Sequence, residues 1–166
     1  MDMMNVVVAA VPQYLDAAQL PQFSEVYITP GKPAFECCDA VVVWGGKVGQ
    51  ARTNQPNLNG GRVVNVTVPA FMFTITILEC VPTISEVNGQ PPSLAQYAAD
   101  AQRVYDRAGA IYSGLLCDAT ARTLWAGTAT GQSTAETTIG ELIWDPPSGA
   151  CLPARITITS QLQKLP

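Results

Sequence analysis

The stretch from Arg62 to Thr83, RVVNVTVPAFMFTITILECVPT, constrains this chain more than any other. After Pro69 it alternates: Phe71, Phe73, Ile75 and Ile77 fall on one side, Met72, Thr74, Thr76 and Leu78 on the other. Successive strand side chains face opposite sides of a sheet, so the first set makes a fully apolar face and the second a half-apolar one. Such a segment belongs at the centre of a sheet covered on at least one side. It is a packing element and carries no chemistry of its own.

Other segments supply partners for it. Ser24 to Thr29 alternates as a short strand, and Pro30-Gly31 marks a turn. Asp39 to Trp44 carries the β-branched run Val41 to Val43, which suits a half-buried pleat, before Gly45-Gly46 loosens it. Glu141 to Trp144 and Arg155 to Leu162 read as later strands, and Thr120 to Thr138 as a loop or weak edge strand. Residues 5–20 predict a short helix with Pro12 in its first turn and Pro21 as its stop. Ser93 with Gln96 three residues on forms a capping box that opens the one long helix. Along it Leu94, Tyr97, Ala101, Val104, Ala108 and Ile111 recur at helical spacing as the core-facing stripe, with Tyr97, Tyr105 and Tyr112 on it. Asp100, Arg103 and Arg107 line the opposite, solvated side. The expected fold is therefore α+β: a mostly antiparallel sheet with one long amphipathic helix and a short N-terminal helix packed on one face, over a single domain spanning 1–166.

Residues 49–62, GQARTNQPNLNGGR, are polar and Gly/Asn-rich and predict a long loop. Loops of that length inside compact domains are commonly functional. Two readings stay open: an arm that orders against a neighbouring subunit, or a mobile hairpin loop. Arg52 and Asn54 are its candidate contact residues. Trp44 and Trp125 are candidate apolar anchors, with a core-closing role the alternative for Trp44.

Composition narrows the function classes. Charged residues make up 13% of the 166, against the usual quarter, while 48% are hydrophobic. Surface covered by copies of the chain explains that balance. A membrane span does not, because no apolar run approaches ~20 residues. The start lacks the basic region of a signal peptide. Nine basic residues are scattered singly under a net charge of −4, so no basic patch exists to neutralise phosphates. Histidine is absent, which removes the commonest general base and metal ligand. The five cysteines contain no C-x-x-C, so no zinc site is expected; buried thiols in a reducing cytoplasm are the leading expectation and one or two disulfides the alternative. No phosphate-binding glycine motif occurs. Glu79, Asp100 and Asp106 show no sequence reason to converge, so the chain does not read as an enzyme. No cofactor and no metal are expected.

One assembly of motifs points further. Tyr27-x-Thr-Pro-Gly-x-Pro-Ala-Phe-x-x-Cys38, then Glu79-Cys80-Val81-Pro82-Thr83, then Pro91-Pro92-Ser93 opening a helix, then a Gly-Ala-Cys151 turn into a terminal ITITSQL strand, resembles small head-to-tail joining proteins of long-tailed actinobacteriophages. Among them the tail terminator, or tail-completion, group is most similar in pattern. The resemblance runs from about residue 7 to 162; residues 49–62 and 126–138 have no matching motif. It implies a virion structural protein of the tail or neck, assembled in the host cytoplasm. It implies a small α+β subunit that closes into a ring, a hexamer, caps the tail tube, and docks to the head-side connector or stopper. DNA would pass through the lumen as non-specific cargo, and no membrane would be involved. Alternatives are a tail-tube subunit or neck stopper of the same phage class and, from a different class, a β-rich binding module.

Overall fold

The alternation that opens at Phe71 is the middle of an 18-residue strand, β3 (Val63–Cys80). The computed structural model describes residues 2–33, 39–56, 63–80, 93–121, 124, 137–146 and 151–161. In chain order the elements are α1 (Asp2–Ala17), β1 (Glu25–Thr29), β2 (Ala40–Pro56), β3, α2 (Leu94–Ala121), β4 (Thr137–Ile139), β5 (Ile143–Trp144) and β6 (Cys151–Gln161). The sheet order is β1-β2-β3-β6-β4, with β5 also on β6. The fold is α+β, and the sheet is mixed. β1 runs parallel to β2, Glu25 beside Ala40 and Thr29 beside Trp44, while every other pairing is antiparallel. Pro30-Gly31 therefore does not close a hairpin. The chain returns to the starting end of the sheet before β2 begins, as a parallel pair demands.

The core forms where the sheet's apolar face meets the helices. Phe73, Ile75 and Ile77 of β3, with Ile156 and Ile158 of β6, are buried against α1 and α2. α1 contributes Met3, Met4, Val7, Val11 and Leu15, one stripe at helical spacing. It starts earlier than the sequence implies, so Pro12 lies inside it and not in its first turn. Its end is a Schellman motif: the Leu20 amide donates to the Leu15 carbonyl at 2.9 Å and the Gln19 amide to Asp16 at 3.0 Å, with Gln19 at φ 56°. The α1–α2 crossing depends on Gly114, where a Cβ would fall 2.3 Å from the Tyr14 ring. Tyr14 donates to the Asp118 carboxylate at 2.6 Å, and burial together with that carboxylate pushes the phenol well above its ordinary pKa.

The capping box forms as the sequence implies. The Gln96 amide donates to Ser93 Oγ at 3.2 Å, and the Ser93 amide to Gln96 Oε1 at 2.8 Å. The helix it opens is not core-facing along its whole length. Its buried residues are Val104, Arg107, Ala108, Ile111 and Leu115. Leu94 is 88% exposed, Tyr97 42% and Tyr105 58%, so the first turns project past the end of the sheet. Periodicity locates an apolar stripe but not the length of sheet available beneath it. Tyr105 rests edge-on against Trp144, with ring centroids 5.1 Å apart.

Residues 49–56, expected to begin a long loop, are strand. β2 continues to Pro56 and pairs with β3 from Gln50↔Pro69 out to Pro56↔Val63. β1 flanks β2 only at Ala40–Trp44, and β6 flanks β3 only at Ala70–Cys80. Beyond those limits the two strands form a ribbon roughly 20 Å long at ~3.3 Å per residue, with no described strand on either edge. The polar, Gly-rich sequence hid this because strand preference there depends on the cross-strand partner Val63-Val64-Asn65-Val66. A β-bulge lies at the ribbon's base: Trp44 pairs with Thr74 but Lys47 with Met72. The extra residue falls at Gly45-Gly46, with Gly45 at φ 72°. Glycine permits the left-handed backbone, and the bulge bends the strand pair.

Candidate functional site

Two features outside the core carry functional information: a buried ion cluster at one end of the sheet and open apolar surface at both ends.

The ion cluster is built around Arg107. It sits at helical spacing with Val104, Ala108 and Ile111, so the helix that buries them also buries its stem, and the side chain is 5% exposed. Its guanidinium reaches Asp39 Oδ1 at 2.6 Å and Glu79 Oε2 at 3.1 Å, and lies 3.4 Å above the centroid of the Phe23 ring. Asp39 enters β2 at φ 65° and accepts from the Ser24 hydroxyl and amide. Burial pushes the Glu79 carboxyl up to about 7, with Arg107 and Arg103 opposing that rise. Burial also acts to raise Asp39, but Ser24 and Arg107 outweigh it and hold that carboxyl below its usual range. One turn before Arg107, Arg103 pairs with Asp100 at 2.9 Å. A cleft of about 390 Å³ opens over Asp39, Glu79, Cys80, Arg103 and Arg107.

Arg107, expected on the solvated side of α2, is therefore buried, and two acids do converge. Both acids bind one guanidinium, so the arrangement is a clamp that fixes α2 to the sheet end, not an acid–base pair free to exchange protons with a substrate. Among the described residues no group of acids and cysteines is arranged to hold a metal ion. Cys151 is in a disulfide whose partner lies outside the described residues, which departs from the leading expectation of thiols; Cys80 and Cys117 are exposed thiols. The spacing of the cysteines gave no sign of that bond, because the fold and not the local sequence brings the sulfurs together.

The open surfaces are the ribbon, the first turns of α2, and an apolar groove of about 640 Å³ beside the ribbon's base. Met4 and Asn5 of α1, Ile28 of β1, Pro30, Gly46 and Phe71 line the groove. Gly46 allows Met4 and Phe71 to close over the bulge, since a Cβ there would come within 2.9 Å of both.

Three of the four residues singled out from sequence lie along β2. Arg52 and Asn54 both lie on the ribbon, in register with Thr67 and Asn65. Trp44 stands at its base but faces the side of the sheet away from the helices. There its indole donates to Thr76 Oγ1 at 2.8 Å and packs with Ala40, Val42 and Leu78. The residue stays partly exposed there. Trp125 lies outside the described residues. The sequence reading missed Arg107, Asp39 and Glu79, although an arginine inside the apolar stripe of α2 was a readable signal. It also missed the groove, whose residues come from four separate segments. No known protein family matches the chain, and none of the curated proteins matches it.

Proposed function

We propose that this protein is a self-assembling structural subunit, and that its role is that of a tail terminator: a ring that caps the tail tube of a long-tailed phage and joins it to the head-side connector. The ribbon formed by Gln50–Pro56 and Val63–Pro69 carries this reading. An isolated two-stranded ribbon is marginal in water, and its open edges offer amides and carbonyls to another chain. A segment of this kind gains its stability from a neighbour. The low charge fraction fits surfaces that become covered. The tail-terminator role itself rests on the motif resemblance described above.

The test is the mass of the purified protein by light scattering, with negative-stain imaging, alone and mixed with tail tubes. Closed rings, or rings confined to tube ends, support the proposal. Open-ended filaments favour a tail-tube subunit. A monomer indifferent to tubes overturns both.

A further inference from the structure

The last register pair between β3 and β6 sets Cys80 opposite Cys151. Directly opposed residues of an antiparallel pair leave the sheet on the same face, with Cα atoms about 4.5 or 5.5 Å apart. Both spacings lie inside the range of roughly 4.4–6.8 Å that a disulfide spans. The two cysteines differ in state and in access. Cys151 is already in a disulfide and is 3% exposed, whereas Cys80 is an exposed thiol. A nucleophile therefore faces a disulfide sulfur across one strand pair, and solvent reaches the nucleophile rather than the sulfur. The pair ends the ladder, where strands open at least cost. Arg103 donates to the Cys80 carbonyl at 3.5 Å, and Glu79, one residue before, takes Arg107, so the pair adjoins the ion clamp.

We propose that Cys80 exchanges with the Cys151 disulfide, so that the bond moves between two positions within one chain. The Cys80 thiol loses its proton to solvent, and the thiolate attacks Cys151 Sγ. The Cys80–Cys151 bond forms as the bond from Cys151 to its present partner breaks, and that partner leaves as a thiolate and takes up a proton. One disulfide is made for each one broken, so no oxidant or reductant is consumed. The exchange transfers a covalent tie from a segment outside the described residues to the sheet itself, where it staples β3 to β6 beside Glu79. It also opens a route to the buried sulfur: once bonded to Cys80, the disulfide presents an exposed sulfur to an outside thiol. The pair is thus a redox-sensitive device, and it operates whether or not the protein assembles.

Glutathione reads the exchange out, with Cys80→Ser as the test variant and Cys117→Ser, at the other exposed thiol, as its control. Both positions are exposed, so thermal unfolding without reductant should match wild type, which separates exchange from misfolding. In a buffer of reduced and oxidised glutathione, acid quenching and peptide mapping should find a Cys80–Cys151 linked peptide in the wild-type protein. In reduced glutathione alone, the Cys151 disulfide should open at least tenfold more slowly in Cys80→Ser, because the buried sulfur is then reached only when the fold opens. In Cys117→Ser it should open at the wild-type rate. Absence of the Cys80–Cys151 peptide overturns the proposal, as does a bond from Cys80 to another cysteine in its place. Equal rates in wild type and Cys80→Ser, or equal slowing in both variants, also overturn it, since the disulfide would then be reached without Cys80.

Discussion

The two halves of β3 share a strand but not a physical situation. From Phe73 to Glu79 the strand lies between β2 and β6, with Phe73, Ile75 and Ile77 buried under two helices. From Val63 to Pro69 it has β2 as its only described neighbour, and Thr67 and Pro69 are exposed. The first half is held by burial, which contributes roughly 1.5–3 kcal/mol for each large apolar side chain. The second half has its backbone pairing to β2 as its described support, worth about 1 kcal/mol net per hydrogen bond before the entropy of ordering the chain is subtracted. α2 repeats the contrast: Val104 to Leu115 are core, while Leu94 to Ala101 are not.

That contrast predicts a gradient of mutational effects. Phe73→Ala should cost the most, about 3–5 kcal/mol in urea-induced unfolding, because it opens a cavity in the buried half. Arg107→Ala leaves the buried Glu79 and the half-buried Asp39 without their shared cation and should cost about 3 kcal/mol; a loss under 1 kcal/mol would show that the clamp does not hold α2. The cluster also sets a pH dependence. The folded-state carboxyl of Glu79 is pushed up to about 7 by burial, above its unfolded value. Its contribution to stability is thus full below about pH 4.5 and declines as pH rises through 7, by up to ~3 kcal/mol. Glu79→Gln should flatten that slope, and an equal slope in the variant would assign it to another group. Asp39 has the opposite sign: its contribution is present above the usual carboxylate range and lost as pH falls below it. Gly114→Ala should cost about 1–3 kcal/mol, since the added methyl meets the Tyr14 ring. At the ribbon and its base, Thr67→Lys and Val48→Lys should change monomer stability by less than ~0.5 kcal/mol yet abolish assembly. A loss as large as that of Phe73→Ala would place the ribbon in the folding unit and dissolve the contrast.

Much of this was legible in the sequence, for local reasons. The alternation at Phe71–Leu78, the terminal strand at Arg155 and the Ser93–Gln96 cap are patterns that a few neighbouring residues define. What escaped depends on distant residues. The parallel β1–β2 pair depends on where the chain goes between Thr29 and Ala40. The strand at 49–56 depends on its partner, and the exposure of Tyr97 on where the sheet ends. The Arg107 clamp joins positions 28 and 68 residues away. Of the candidate contact residues, Arg52 and Asn54 lie on the ribbon, while the Trp44 indole bonds Thr76 of its own sheet.

Native-state hydrogen exchange, resolved by residue along β3 in dilute protein, tests the central claim most directly. The account predicts slow exchange from Phe73 to Glu79, fast exchange from Val63 to Val68, and protection of the second set only when the protein assembles. Equal protection of both halves in the monomer would contradict it, because the ribbon would then be stable without a neighbour.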